Sequence, residues 1–420
     1  MNTPRPALKP LDEALSDLLA FAQPLVGVEQ VSTFDADTRV LAQDVVSALQ
    51  VPPQDNSSMD GYAVRCADLL QPGAVLTVTQ RIPAGSSGSE LHAGEAARIF
   101  TGAPIPPGAD AVVMQEDCEV VDPAIESGGA TAKAGRVRVN HVPQTGEWIR
   151  RAGEDVTRGT VVLAQGERLT ATGVGLAACV GMHRLSVARR PRVALFSTGD
   201  ELVMPGAIAP ADMKPGAIYN SNRFFLRALL TRLGCEVTDM GVVPDQRDAT
   251  VTALRTASMA HDLVLTSGGV SVGEEDHVKP AVAMLGTLDL WQIAIKPGKP
   301  FAYGRVGTAH FIGLPGNPVS SFVTFVLLVR PFLLRLQGVT HIAPPAVPVR
   351  ADFAWPKADR RQEFLRVRRN AAGGLDLFPN QSSGVLTSTV WGDGLVDNPA
   401  GRAIARGDVV RFLAFSDLLS

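Results

Sequence analysis

The chain reads as a multidomain α/β protein built around a mainly parallel sheet, and three features predict this. From Arg192 onward, short apolar runs alternate with helical periodicity, the pattern of parallel strands joined by crossover helices. Between residues 53 and 148 the text changes to short β-rich runs punctuated by glycine and proline, which predicts a separate β domain. With 420 residues the chain is too long for one compact core, so roughly two to four domains are expected.

Leu11, Ala14, Leu15, Leu18, Leu19 and Ala22 recur at helical spacing, so an amphipathic helix opens the chain. Arg39–Leu49 (RVLAQDVVSAL) reads as a second helix or a helix-to-strand passage, broken by Val51-Pro52-Pro53. Within the β region Val75–Thr79, Ala97–Phe100 and Ala111–Gln115 are strands, and Ser127–Gly135 (SGGATAKAG) is an exposed loop. Helical pattern returns near Leu169–Val180. Further on, Val193–Phe196, Glu236–Val243, Leu263–Thr266 and Leu288–Ile295 are predicted strands. Asn222–Leu233, closed by Gly234, and Asp248–Ala260 are the helices between them. Tyr303–Gly313 reads as a hairpin and Asn317–Leu336 as a long helix stopped by Gly338. After the proline-rich linker His341–Pro348, alternation in Val349–Ser420 predicts a small β barrel or sandwich.

Composition narrows the function. The formal charge is −3, from 39 basic and 42 acidic residues, and aromatics are only 5%, so no general nucleic-acid surface is expected. The longest apolar run, Phe322–Val329, is too short to span a bilayer, and MNTPRPALKP lacks the apolar core of a secretory signal. Cys66, Cys118, Cys179 and Cys235 are scattered, with no CxxC pair; that suits a reducing cytoplasm rather than a zinc site or disulfide framework. A cytoplasmic protein that binds neither nucleic acid nor membrane is the expectation.

Asp262–Asp276 (DLVLTSGGVSVGEED) joins a buried strand, a glycine turn and an acidic helix entrance. Ser267, Gly268 and Gly269 let the backbone turn sharply and approach a ligand, since glycine tolerates positive φ and has no side chain. The N–H groups of a helix start favour phosphate or another oxyanion. Glu274, Glu275 and Asp276 at the same edge would repel a bare anion, so phosphate and carboxylates together point to a divalent cation between them. Ligands of open parallel sheets gather beyond the carboxyl ends of the strands, where two more turns should lie. These are Ser197-Thr198-Gly199-Asp200-Glu201 and the exposed turn Lys296-Pro297-Gly298-Lys299-Pro300. Lysines are compact partners for phosphate oxygens and carboxylates hold Mg²⁺ beside them, so a nucleotide-like or phosphorylated ligand with a metal follows. In Leu314–Ser320 (LPGNPVS), Pro318 suits the first helical turn and Asn317 its N-cap, and the helix N–H groups could face the same anion.

An ordered series of motifs resembles one family. NSSMDGYAV (Asn56–Val64), FTGAPIPPGADAVVMQED (Phe100–Asp117), RRAGEDV (Arg150–Val156) and FSTGDEL (Phe196–Leu202) resemble successive signatures of MoeA, the molybdopterin molybdenumtransferases. SGGVSVGEEDHVK (Ser267–Lys279), IKPGKPFAYG (Ile295–Gly304), LPGNPVSS (Leu314–Ser321) and QSSGVLTSTVWGDGLV (Gln381–Val396) continue the match in order. The gephyrin E domain and the smaller MogA-type adenylyltransferases are related to that family.

The resemblance implies a three-layer α/β/α domain of MogA type at 189–338, a β-rich insertion at 53–148 and a β barrel at 343–420. Residues 1–52 with 149–188 would form a mixed α/β linker and dimerisation region. It implies insertion of molybdate into adenylylated molybdopterin with release of AMP, assisted by Mg²⁺. Asp60, Thr101, Asp155, Glu201 and Asp276 would carry catalysis, with Asp276 and Glu201 holding the metal. Ser267, Gly268, Gly269, Lys296, Lys299, Pro315, Pro318 and, in the looser motif VVPDQRD, Asp245 would bind substrate. Members are elongated homodimers in which the insertion of one subunit faces the central domain of the other. A MogA-type adenylyltransferase and recipient molybdoenzymes are implied partners. Gln54 and Gly392-Asp393 depart from the family pattern, at the hinge into the insertion and in the tail. The alternatives are a MogA-like adenylyltransferase, which needs only the central domain, and a gephyrin-E-like scaffold, which has no need of the acidic and lysine groups.

Overall fold

The computed structural model of the chain describes residues 8–122, 135–269 and 277–419. The chain divides into two compact units, one of Met1–Gln43, Gln165–Thr170 and Leu185–Ser420, the other of Asp44–Ala164 and Ala171–Arg184.

The first unit is built on a six-stranded sheet in the order Glu236–Val243, Arg192–Thr198, Leu263–Ser267, Ala309–Leu314, Pro300–Val306, Gly286–Gln292. The first four strands are parallel, and the Pro300–Val306 hairpin strand runs against its neighbours on both sides. The chain enters at Arg192–Thr198, moves outward to Glu236–Val243, then crosses back to Leu263–Ser267 on the other side. Such a reversal leaves a crevice beyond the carboxyl ends of the two adjacent strands. Both strands are apolar on both faces because helices cover both. Val193, Leu195, Leu263 and Leu265 pack with Leu226, Leu230 and Val323 on one side. Ala194, Phe196 and Val264 pack with Val251, Leu254 and Val282 on the other, completing three layers.

Leu11–Phe21 is helical, burying Leu11, Ala14 and Leu18, and Phe21 stacks on Tyr303 with ring centroids 4.6 Å apart. Pro318–Leu336 is one helical run of 19 residues, long and apolar enough to cross a membrane but buried here as the core helix. Its π turn at Phe325–Val329 precedes Pro331, whose ring and missing N–H an unbroken α-helix would not accommodate.

Two expectations need correction. Arg39–Leu49 is not a helix: Val40 and Leu41 bridge to Arg168 and Val187, and Val45–Val46 pairs with Val161–Leu163. Long-range pairing of β-branched residues overrides the local pattern there. Leu288–Ile295 is not one strand either. Gly286–Gln292 stays in the central sheet, the Ile293 N–H turns to the Lys299 carbonyl at 2.8 Å, and Ile295–Lys296 pairs in parallel with Gln362–Glu363 of the tail.

The tail strands follow as Gln362–Arg369, Gly394–Asn398, Val409–Ala414 and Val347–Arg350, with Leu375–Leu377 also on Gln362–Arg369. A bridge from Ala351 to Leu375 joins the ends into a barrel around Leu365, Val367, Val396 and Phe412. In the second unit a six-stranded sheet runs Ala111–Met114, Gly61–Val64, Glu95–Ile99, Ala74–Ile82, Gly135–Val139, Cys118–Asp122. Apolar clusters lie on both its faces, centred on Val113 and Val137 and on Ala97 and Val112. Residues 127–134 of the expected loop lie outside the described residues.

Candidate active site

At the crevice of the first unit the structure opens a cleft of about 830 Å³. It is lined by the turns after Arg192–Thr198 and Leu263–Ser267, by Pro315–Pro318, and by Gly384 and Leu386 of the tail. Of the expected residues, Glu201, Asp245, Ser267, Gly268, Gly269, Pro315 and Pro318 meet here.

The glycines are dictated by contact as well as conformation. Gly268 and Gly269 have φ of +95° and +67°, and a Cβ on Gly269 would sit 2.5 Å from Val278 Cγ2. The Gly268 N–H donates to the Leu314 carbonyl at 3.0 Å, tying the second turn to the third. Gly199 has φ +136°, and a Cβ there would meet the Glu201 carboxylate at 2.5 Å, so this acid folds back over its own turn. The Asp245 N–H approaches Asp200 Oδ1 at 3.4 Å, bringing the end of Glu236–Val243 to the same edge.

Asn222, not anticipated as a site residue, is the fastener of the cleft. Its Nδ2 donates to Ser267 Oγ and to the Gly316 carbonyl, both at 2.7 Å. Asn222 Oδ1, Asn220 Nδ2 and Ser197 Oγ are buried without a hydrogen-bond partner among the described residues. All three residues line the cleft. Buried polar atoms of native proteins are nearly always paired, so this wall is made to receive polar groups from a ligand or water. Beyond Ser197, which belongs to an expected rim turn, its only signal in the sequence is the polar stretch Asn220-Ser221-Asn222 at the start of a helix.

The tail also contributes, which its local sequence did not suggest. Arg366, only 1% exposed, donates from Nε to Ser388 Oγ and from Nη2 to the Ser382 carbonyl, at 3.1 and 3.3 Å. Burial pulls this guanidinium down to about 10, still charged at neutral pH. The loop it holds reaches the core helix, where the Val319 N–H donates to the Ser383 carbonyl at 2.9 Å. That N–H is therefore occupied rather than open to an anion. Asn317 stands at the N-cap position without a side-chain capping bond.

The lysine turn differs from expectation. Pro300 lines the cleft, but Lys296 and Lys299 do not. Lys296 is not simply exposed: its Nζ is 3.1 Å from both Asp359 and Glu363. Burial opposes its charge, yet hydrogen bonds to Glu363 and Asp359 outweigh it and hold the ammonium above its usual range. Asp276, with Glu274 and Glu275, lies outside the described residues.

Asp60, Thr101 and Asp155 belong to the second unit. The Thr101 amide and hydroxyl both donate to Asp60 Oδ1, at 2.8 and 2.7 Å. These two bonds, with the nearby Arg98 charge, hold the Asp60 carboxyl below its usual range. Asp155 is exposed in its loop, its N–H donating to the Val51 carbonyl at 3.0 Å.

Comparison with known proteins gives a consistent family. Residues 9–181 match the profile described as the MoeA N-terminal region (domain I and II). Residues 194–335 match a probable molybdopterin binding domain, and 348–415 the MoeA C-terminal region (domain IV). The molybdopterin molybdenumtransferase of Haemophilus influenzae is 41% identical over 358 residues, covering 85% of each chain. That of a Nostoc species is 34% identical over 413 residues, covering 95% of this chain and 91% of the relative. The crystal structure of a molybdopterin biosynthesis MoeA protein from Pyrococcus horikoshii superposes with a TM-score of 0.81 at 29% identity, covering 97% of this chain and 100% of its own. With its regions matched in order and its length covered by such relatives, the chain belongs to the MoeA family of molybdopterin molybdenumtransferases.

Proposed function

We propose that the chain is a molybdopterin molybdenumtransferase that inserts molybdate into adenylylated molybdopterin and releases AMP. The observation that carries this reading is the cleft at the sheet's reversal point, where glycine turns, orphaned buried polar atoms and the carboxylates of Glu201 and Asp245 meet in a member of this family. The Gly268 and Gly269 backbone can approach phosphate oxygens closely because no side chain intervenes. Asn220, Asn222 and Ser197 offer one donor, one acceptor and a hydroxyl to the polar edges of a substrate. Lys299, outside the cleft lining but next to Pro300, which lines it, would bring positive charge for the molybdate oxyanion to the rim.

Mg²⁺ fits the donor set. Glu201 and Asp245 present hard carboxylate oxygens at the cleft, and such ions bind through one or two carboxylates plus substrate phosphates rather than a full protein cage. Held by Glu201 with Asp276, the ion would neutralise charge on the adenylate phosphates. We further propose a cytoplasmic homodimer in which the partner subunit's Asp60 and Thr101 complete the site. AMP release from purified adenylylated molybdopterin, with and without molybdate, tests the reading. Release that depends on molybdate is expected. Adenylylation of molybdopterin by ATP without molybdate would instead identify an adenylyltransferase.

A further inference from the structure

We propose that Glu363, in the tail barrel, is a positioning residue for the active-site cleft. Acting through Lys296, it fixes the Lys296–Pro300 turn that forms part of the rim. The inference rests on the functional reading above for its kinetic consequences, but not for its geometry.

Glu363 is 1% exposed, and a carboxylate buried this far is costly unless its oxygens are matched by donors. Lys296 Nζ reaches Oε1 at 3.1 Å, Trp355 Nε1 donates to Oε2 at 2.7 Å, and Asn398 Nδ2 lies 3.5 Å from Oε2. Asp359, gripped by Arg361 at 3.0 Å, takes a second position on the ammonium, at 3.1 Å. Two of the three donors of Lys296 are thus committed to carboxylates, which makes it an anchor. The pairing Lys296↔Glu363 sits on the two-residue strand by which the turn joins the barrel.

From that anchor the turn is closed by the Ile293 N–H on the Lys299 carbonyl at 2.8 Å. It is also pressed on the core helix: Gly298 has φ +113°, and a Cβ there would come within 2.6 Å of Thr324 Oγ1. Pro300 then lines the cleft, and Lys299 has no ion pair among the described residues. Buried ion pairs contribute little net stability compared with apolar packing, so what Glu363 supplies is the placement of the turn.

The test compares Glu363→Gln, which keeps an acceptor for Trp355, with Lys296→Met and the double variant. Glu363→Gln should raise the half-saturating molybdate concentration by about tenfold and change kcat by less than about twofold, because misplacing a binding group weakens binding before chemistry. In the Lys296→Met background it should add nothing. Hydrogen exchange of the Ile293 amide, measured without substrate, should accelerate in each single variant and no further in the double. Additive effects, a loss of kcat at unchanged half-saturation, or unchanged Ile293 exchange would overturn the proposal. Should Glu363→Gln fail to fold, Lys296→Met alone must still accelerate that exchange, and unchanged exchange there refutes it. Absence of molybdate-dependent AMP release from the parent protein would count against the functional reading only, since the exchange result stands apart from it.

Discussion

Replacing Asn222 by alanine should separate the walls of the cleft at modest cost to the fold. The variant loses the two hydrogen bonds from Nδ2, to Ser267 Oγ and to the Gly316 carbonyl. Each is worth about 1 kcal/mol net, which gives about 2 kcal/mol. The acceptors abut an open cleft, so water can replace the amide and the full penalty for unsatisfied groups does not apply. Asn222 is the first helical residue, outside the helix interior where alanine gains most over asparagine, so the net loss stays at about 2 kcal/mol. Catalysis should suffer more. The Gly316 and Gly268 backbones lie side by side, a Cβ on the former being 4.0 Å from Cα of the latter. A shift of about 1 Å between such groups commonly costs on the order of a hundredfold. The expected outcome in AMP release is therefore a fall in kcat/KM of about 10- to 100-fold, with only a small drop in the urea midpoint. Unchanged kcat/KM in the folded variant would refute the role given to Asn222, and a loss above about 4 kcal/mol would recast it as a core residue.

Three further outcomes are expected. Lys299→Ala should raise the molybdate concentration for half-maximal rate with little change in melting; a sharp fall in melting instead would make this lysine structural. Thr101→Val removes one of the bonds that depress the Asp60 carboxyl, so its pKa should rise. Because a depressed carboxyl stays charged until pH falls through its folded pKa, the acid limb of kcat/KM should move to higher pH, and an unmoved limb would exclude Asp60 as the titrating group. Asp60→Ala and Asp276→Ala should each be inactive as pure dimers, yet co-expression should restore roughly a quarter of all sites, since about half of randomly assembled two-fold dimers are mixed. An inactive preparation that contains mixed dimers would refute the shared site.

Features set by neighbours in the chain were readable from the sequence alone. Strands buried on both faces announce themselves as short apolar runs, and the glycines after Ser267 mark a turn that only positive φ permits. Glu201 and the hydroxyls of Ser197, Thr198 and Ser267 could be assigned to one rim because parallel strands carry their carboxyl ends to one edge. Local pattern misled where distant pairing competed with it, as at Val40 and Leu41, whose partners are Arg168 and Val187. Tertiary structure alone decided how the site is held. Asn222 reaches Gly316 across 94 positions, Lys296 meets Glu363 across 67, and the tail brings Gly384 and Leu386 to a cleft built from the central sheet. No periodicity encodes those meetings, because a hydrogen bond or ion pair depends on where two side chains come to rest after the sheet and barrel have closed.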